Sequence, residues 1–315
     1  MAPEAPASPP ARELNHSRPG ADSLREPASA HLSHEEVSPF RAARAELRLQ
    51  GPVVTFPDGS RIVLGNEGGR PIHRGTVAVR GPCAPSLADL VTLGLTDAQA
   101  RALEFVLTWF GNPFDSVTSD PQSGGEPRWG AWPLSGPLLV TALAQWRQRE
   151  PDAFDGRLGR LGLEATPAQP PEPAALRFLG ARNATPSEGL EALVLFAEDP
   201  RLLAALAQSG RERGAQLAQL ETLVTHVLQS VLASSSQDAP ADGAFSSARA
   251  LALLFHAELR FGHRGVTRLV TLMRERPEPS AAGERFAEDL RSTGRAREAS
   301  EVWRILTSPE LADPA

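Results

Sequence analysis

The sequence predicts a mainly α-helical protein, with an N-terminal tail lacking fixed structure over 1–38, a small β-hairpin subdomain over 39–81, a helical body over 82–308 and a C-terminal tail over 309–315. Three observations lead there. From Pro82 onward apolar residues recur at spacings of three and four, the period of a helix with one buried face. Between about 43 and 81 the pattern changes to short alternating or β-branched runs separated by turn residues. Before residue 38 bulky apolar side chains are scarce and prolines frequent, so burial cannot offset chain entropy and the segment is expected to be disordered.

The elements follow in order. AELRLQ, PVVTF and RIVLG read as strands, the last two flanking Pro57, Asp58, Gly59 and Ser60, whose proline and glycine supply the restricted angles of a hairpin turn. GTVAVRG at 75–81 reads as a further strand after the loop NEGGRP. In LTDAQARALEFVLTWF, Thr96 and Gln99 have the spacing of a capping box and leave Leu103, Val106, Leu107 and Phe110 on one face. A helix from Ser135 is stopped by Pro151, and two short helices are divided at Pro200. Residues 213–234 read as one long helix whose stripe of Leu217, Leu220, Val224, Val227 and Val231 is either core or a seam for a partner helix. SSARALALLFHAELRFG, apolar on nearly all sides, is expected at the centre of the bundle, and HRGVTRLVTLMRER and two closing helices, about 281–292 and 295–307, pack around it.

Composition removes several classes of function. All 32 basic residues are Arg and Tyr is absent, the coding signature of a GC-rich genome. A net charge of −6 argues against a binder that works by neutralising nucleic-acid phosphates. No run approaches the ~18 apolar residues of a membrane helix, so no span is expected. The N-terminus has no basic start followed by an apolar stretch, so a cytoplasmic location is expected, with release by a route other than a signal peptide left open. Cys83 alone makes neither a disulfide nor a Cys-rich zinc site, and His31, His34 and Glu35 sit in the expected tail, so no metal or other cofactor is expected. Gly68 and Gly69 lack the surroundings of a phosphate loop, and no Ser has a G-x-S-x-G setting.

The most unusual composition lies between Trp109 and Gly136, where Trp109, Trp129 and Trp132 occur with Asp115, Asp120, Glu126 and Arg128 between two helices. A loop held by a rigid scaffold is where ligand sites concentrate. Trp faces stack on sugars, Arg128 adds a polar contact, and paired carboxylates do acid and base work on a glycosidic bond. The competing reading is that Trp129 and Trp132 plug the core and the acids are merely solvated.

A helix, then Gly111, Phe114, Asp115, Val117, Thr118 and Asp120, then Trp129, Gly130, Trp132 and Gly136, then a long helix, resembles the lysozyme-like glycosidases that include chitosanases and bacterial peptidoglycan-active proteins. The resemblance spans roughly 95–275 and implies a two-lobed helical core with a saccharide cleft; the segments at 198–221 and 256–265 resemble the helices that follow the cleft. It also implies an acid Glu at Phe110 or Gly111, and a Gln at Pro133. Neither Phe nor Gly donates a proton, and Glu104, six or seven positions earlier, lies nearly two helical turns away. The expectation is therefore a degenerate member that binds glycan or serves as a scaffold, its partner a polysaccharide or another protein. Two alternatives stay open: an active glycoside hydrolase on peptidoglycan or a chitosan-like polymer using Asp115, Asp120 and Glu126 as relocated carboxylates, and a helical assembly or delivery protein that docks a partner through the 213–234 stripe. His256 and Glu258 point about 200° apart on a helix and His263 follows a helix-ending Gly262, so neither histidine makes a base with that acid.

Overall fold

Helices and three small antiparallel sheets make up the computed structural model, which describes residues 39–67, 70–80, 87–120, 125–170, 172–179, 186–228, 231 and 246–312. The expected tail, with His31, His34 and Glu35, and also Gly68, Gly69 and Cys83, lie outside those residues. After helix α1 (Pro39–Ala45), strands β1 (Arg48–Gln50), β2 (Val53–Thr55) and β3 (Arg61–Val63) pair in that order. Val54 stands opposite Leu49 and Ile62, and the buried Val54 and Ile62 face the core while Val63 faces solvent. The turn between β2 and β3 is closed as the sequence requires: the Phe56 amide donates to the Ser60 carbonyl at 2.9 Å, and Asp58 accepts from the Ser60 amide at 2.9 Å and its hydroxyl at 2.6 Å.

The second sheet joins β4 (Gly65–Glu67), β5 (Arg70–His73), β6 (Val117–Asp120) and β7 (Glu126–Trp129). It draws two strands from before residue 82 and two from after it, so the segments on either side of that position share one sheet. Of the strand expected over 75–81, the described residues 75–80 form none; β5 lies just upstream of them. The physical reason is local, because the Thr76 and Val77 amides donate to the Asp115 carboxylate and are not available to a ladder. Part of the segment read as a long loop is the β6–β7 pair, with Val117 opposite Trp129 and Thr118 opposite Arg128. Val117 and Trp129 point into the core, which leaves Thr118 and Arg128 on the outer face.

A third sheet, β8 (Leu163–Thr166), β9 (Ala175–Phe178) and β10 (Ser187–Glu188), was not anticipated from its short strands. It is held by alternation: Leu163, Ala165, Leu176 and Phe178 are buried, and the Phe178 ring meets Phe196 edge-on at 5.5 Å.

The helices are α2 (Leu87–Thr92), α3 (Asp97–Phe110), α4 (Gly136–Arg149), α5 (Pro151–Arg157), α6 (Gly189–Glu198), α7 (Pro200–Ser209), α8 (Arg213–Leu223), α9 (Ala248–Phe261), α10 (His263–Glu275), α11 (Pro279–Ser292) and α12 (Ala296–Thr307). The capping box at α3 forms, with the Gln99 side chain accepting from the Thr96 amide at 2.9 Å and Thr96 Oγ1 from the Gln99 amide at 3.3 Å. Pro151 ends α4 and opens α5. The long 213–234 helix is not continuous: α8 passes into a π-helical turn over Val224–Leu228. Of the stripe, Leu220, Val224, Val227 and Val231 are buried and Leu217 is half-buried, so it faces the core. α9 is buried from Ala248 to Ala257 except at Arg249 and packs along α3 and α10, in the central place its sequence indicates. The last residues are not a loose tail up to 312, since Pro309–Leu311 forms a 3-10 turn, Leu311 is buried, and Arg101 donates to the Ala312 carbonyl at 3.2 Å. Among the described residues no helix is long and apolar enough to cross a membrane.

Trp146 of α4 is fully buried, with Phe154 of α5 edge-on at 5.2 Å. Trp146→Ala is expected to cost about 3–5 kcal/mol through lost transfer energy and a residual cavity. Urea unfolding checks this: the midpoint falls while the slope against denaturant stays the same.

Candidate functional site

The site is organised around Asp115, whose side chain is fully buried just after the end of α3. Its Oδ1 accepts from the Thr76 amide at 2.6 Å and the Val77 amide at 2.8 Å, and its Oδ2 from Thr76 Oγ1 at 3.0 Å and Arg211 Nε at 3.2 Å. His73 Nε2 lies 3.5 Å from Oδ2, while its Nδ1 faces the Val63 carbonyl at 3.0 Å and donates to it. Only glycine fits at 75, where φ is +75° and a Cβ would come within 2.7 Å of Asp115 Oδ1. Burial alone would raise the Asp115 pKa, but the adjacent His73 ring and the bonds from the Val77 and Thr76 amides and from Arg211 outweigh it and hold the carboxyl far below the ordinary carboxylate range. Asp115 is therefore an anion with its lone pairs taken.

Beside it, on the outer face of the second sheet, runs an open groove of about 520 Å³. Thr118 and Arg128, paired across β6 and β7, line its floor with Ile72 of β5. Asn112 stands at the end next to α3, and Arg74 and Arg297 extend over it from the end of β5 and the first turn of α12. Among the described residues Glu67 is the one carboxylate in the lining, 3.3 Å from Arg74. The Asn112 amide donates to the Ala131 carbonyl at 2.9 Å, and the Gly130 amide to the Ser116 carbonyl at 2.9 Å, so the groove's end wall is fixed backbone. Behind it Gln219 of α8 bridges the Ala131 amide at 3.2 Å and the Phe114 carbonyl at 3.1 Å.

The structure separates the residues that the sequence grouped as a site. Trp129 is fully buried and Trp132 is 9% exposed, so neither offers a stacking face, and both belong to the core as the competing reading had it. Trp109 is 45% exposed, but the Arg304 guanidinium covers its ring at 4.5 Å and it does not line the groove. Asp115 is unsuited to acid or nucleophilic work for the reasons given. Asp120 and Glu126 are opposite one another in the β6–β7 register; the Asp120 side chain lies outside the described residues, and the half-buried Glu126 is not part of the groove lining. Arg128 does line it. Sequence reasoning missed Arg74, Asn112 and Arg297 and named Thr118 only within the motif that carries the resemblance; these four meet only through strand register and the return of α12. Thr118 alone carried a signal, as an alternate residue in VTSD.

Both positions at which the family acid would fall are closed. Phe110 is buried with its ring against Phe105 at 6.1 Å and His256 at 5.0 Å. At Gly111 a Cβ would lie 2.9 Å from the Ala131 carbonyl oxygen and no farther from that of Leu107, so a side chain there collides with backbone.

A second buried cluster closes the same end of α3. Glu301 of α12 accepts from His256 Nε2 at 2.9 Å and from Arg260 Nε at 2.8 Å, and Arg260 also donates to the Phe110 carbonyl at 3.3 Å. Burial works to raise the Glu301 pKa, yet the His256 and Arg260 bonds and the Arg260 charge bring it down to about 2. Burial lowers the His256 pKa against the pull of Glu301. Burial raises that of Glu258, with His263 and His226 opposing. Among the described residues no group of three or more His, Cys, Asp or Glu stands ready to hold a metal ion.

The two depressed carboxylates set an acid limit on stability. The contribution of Glu301 is complete above its ordinary value of 4.5 and is lost as pH falls toward about 2, and that of Asp115 is complete above its ordinary value of 3.8 and is lost at still lower pH, as each folded-state carboxyl takes up its proton. Asp115→Asn is expected to cost about 3–5 kcal/mol, because an amide has one acceptor for four donors and leaves Arg211 without its anion. Urea titrations between neutral and acid pH check both points: the variant has a lower midpoint at neutral pH and a flatter dependence on acid. In comparisons with known proteins, no family model, no curated protein and no solved structure matches this chain.

Proposed function

We propose that this protein is a catalytically silent relative of the lysozyme-like glycosidases whose groove holds saccharide as a binding or scaffold module. The observation that carries the reading is the juxtaposition of a closed acid position, Phe110 and Gly111, with an open groove beside it. The order of α3, a tight turn, the β6–β7 pair and α4 supports the resemblance that the motifs suggest. The groove's volume falls within the roughly 300–1,000 Å³ of small-ligand sites, and Asn112, Ser116 and Thr118 supply hydrogen bonds suited to hydroxyl groups. Acid catalysis of glycoside cleavage requires a carboxyl of raised pKa at the leaving oxygen. Among the described groove residues Glu67 is the one carboxyl, and it stands exposed beside Arg74, 3.3 Å away.

The register of Asp120 against Glu126 favours one second reading, an active hydrolase with a carboxylate pair at the end of the β6–β7 ladder. One experiment separates the two. Incubation with peptidoglycan fragments, chitin oligomers or chitosan oligomers is expected to release no reducing ends, while calorimetry detects binding that weakens about tenfold on Asn112→Ala. Hydrolysis that disappears in Asp120→Asn or Glu126→Gln overturns the proposal in favour of the hydrolase.

A further inference from the structure

The first sheet carries a second set of polar groups, away from the groove. Residues directly opposite one another on antiparallel strands point to the same face, so the register of Arg48, Thr55 and Arg61 makes one row across β1, β2 and β3. The other face holds the buried Val54 and Ile62 and packs on α7. The row is therefore on the solvent side, with both arginines exposed and Thr55 half-buried. Among the described residues neither guanidinium has an ion pair or hydrogen bond, and the Thr55 hydroxyl has no hydrogen bond either. Arg48 and Thr55 line a cavity of about 640 Å³ whose walls are α1, through Ala42 and Ala45, and the β2–β3 turn, through Pro57. Arg61 stands one strand spacing, about 4.8 Å, beyond Thr55. Among the described residues Glu46 is the one carboxylate in the lining, and Arg160 already matches it at 2.9 Å; Asp58 of the turn is matched by Arg157 at 3.3 Å. Two guanidinium charges thus stand unbalanced here in a chain of net charge −6.

We infer that this cavity binds a small organic diacid, an aliphatic chain carrying two carboxylates. The inference is independent of the saccharide reading, because it uses none of the groove residues. A planar guanidinium fork takes a carboxylate through two parallel hydrogen bonds. Arg48 and Arg61 are two strands apart, about 10 Å between their backbones, so each takes one end of the ligand. The Thr55 hydroxyl between them donates to the nearer carboxylate, and the aliphatic chain lies against Ala42, Ala45 and Pro57. Both walls are set before a ligand arrives: the turn is closed by the Phe56, Asp58 and Ser60 bonds, and the end of α1 is tied to the Gly159–Leu161 turn by Glu46 and Arg160. The volume is that of a small-molecule site. A monoacid brings one anionic group to two forks and is held less tightly.

The test is calorimetry of the full chain with glutarate, butyrate and inorganic phosphate as probes. Glutarate is expected to bind about tenfold tighter than butyrate, and to weaken about tenfold in Arg48→Gln and again in Arg61→Gln. Arg48→Lys keeps the charge without the fork and is expected to lose less than Arg48→Gln. Raising salt to about 0.5 M is expected to weaken glutarate in the native chain. Thermal unfolding of each variant is expected to match the native chain, since both side chains are exposed and unpartnered among the described residues. Equal affinity for glutarate and butyrate, or glutarate binding that neither Gln variant changes, overturns the inference. Phosphate bound more tightly than glutarate overturns the diacid and gives the same two arginines to a phosphate group. Binding of none of the three overturns the site as a whole, and saccharide binding in the groove stands or falls separately.

Discussion

The buried carboxylate of Asp115 is the constraint on which the described architecture around the groove depends. It binds the loop after β5, the turn after α3 and the joint between α7 and α8 to a single anion, through Thr76, Val77, His73 and Arg211. None of these segments has a regular ladder or helix to fix it there. A buried charge is costly unless every lone pair is met, and here each oxygen is met by at least two donors. The same need takes the Thr76 and Val77 amides out of any ladder, and the sheet's strand here is β5, whose Ile72 is part of the groove floor.

Around that anchor the chain divides its polar groups into two kinds. Asp115, His256, Glu301 and Gln219 are spent on holding backbone and helices together, in places that water does not reach freely. Arg74, Arg128, Arg297, Asn112 and Thr118 stay on one face, where sheet register and the return of α12 bring them to a common space. The groove is thus a product of three distant parts of the sequence and of no single motif.

This explains how far the site was legible in the sequence. Helical periodicity, the Thr96 and Gln99 cap, the turn at Pro57 to Ser60 and the break at Pro200 are local, and local rules place them correctly. The third sheet escaped because four-residue strands such as LEAT and ALRF carry too little alternation to be distinguished from loop. The Trp109 to Gly136 segment was unusual for a sound reason, but its composition does not say which way the rings point. Strand alternation sends Trp129 inward with Val117, and so turns Arg128 outward to the groove. Arg297, nearly 170 residues downstream of Arg128, had no sequence signal connecting it to the same place.

Gly111 limits what a point substitution can do at this end of α3. The space that an acidic side chain would occupy there is filled by the carbonyl of Ala131, which is itself bonded to the amide of Asn112. One codon change at 111 does not reopen it, because the end wall must move and the Gln219 bridge behind it must give way at the same time. Each contact made across that filled gap, from the Asn112 amide to the Gln219 side chain, adds to the number of simultaneous changes that placing any side chain at 111 would need.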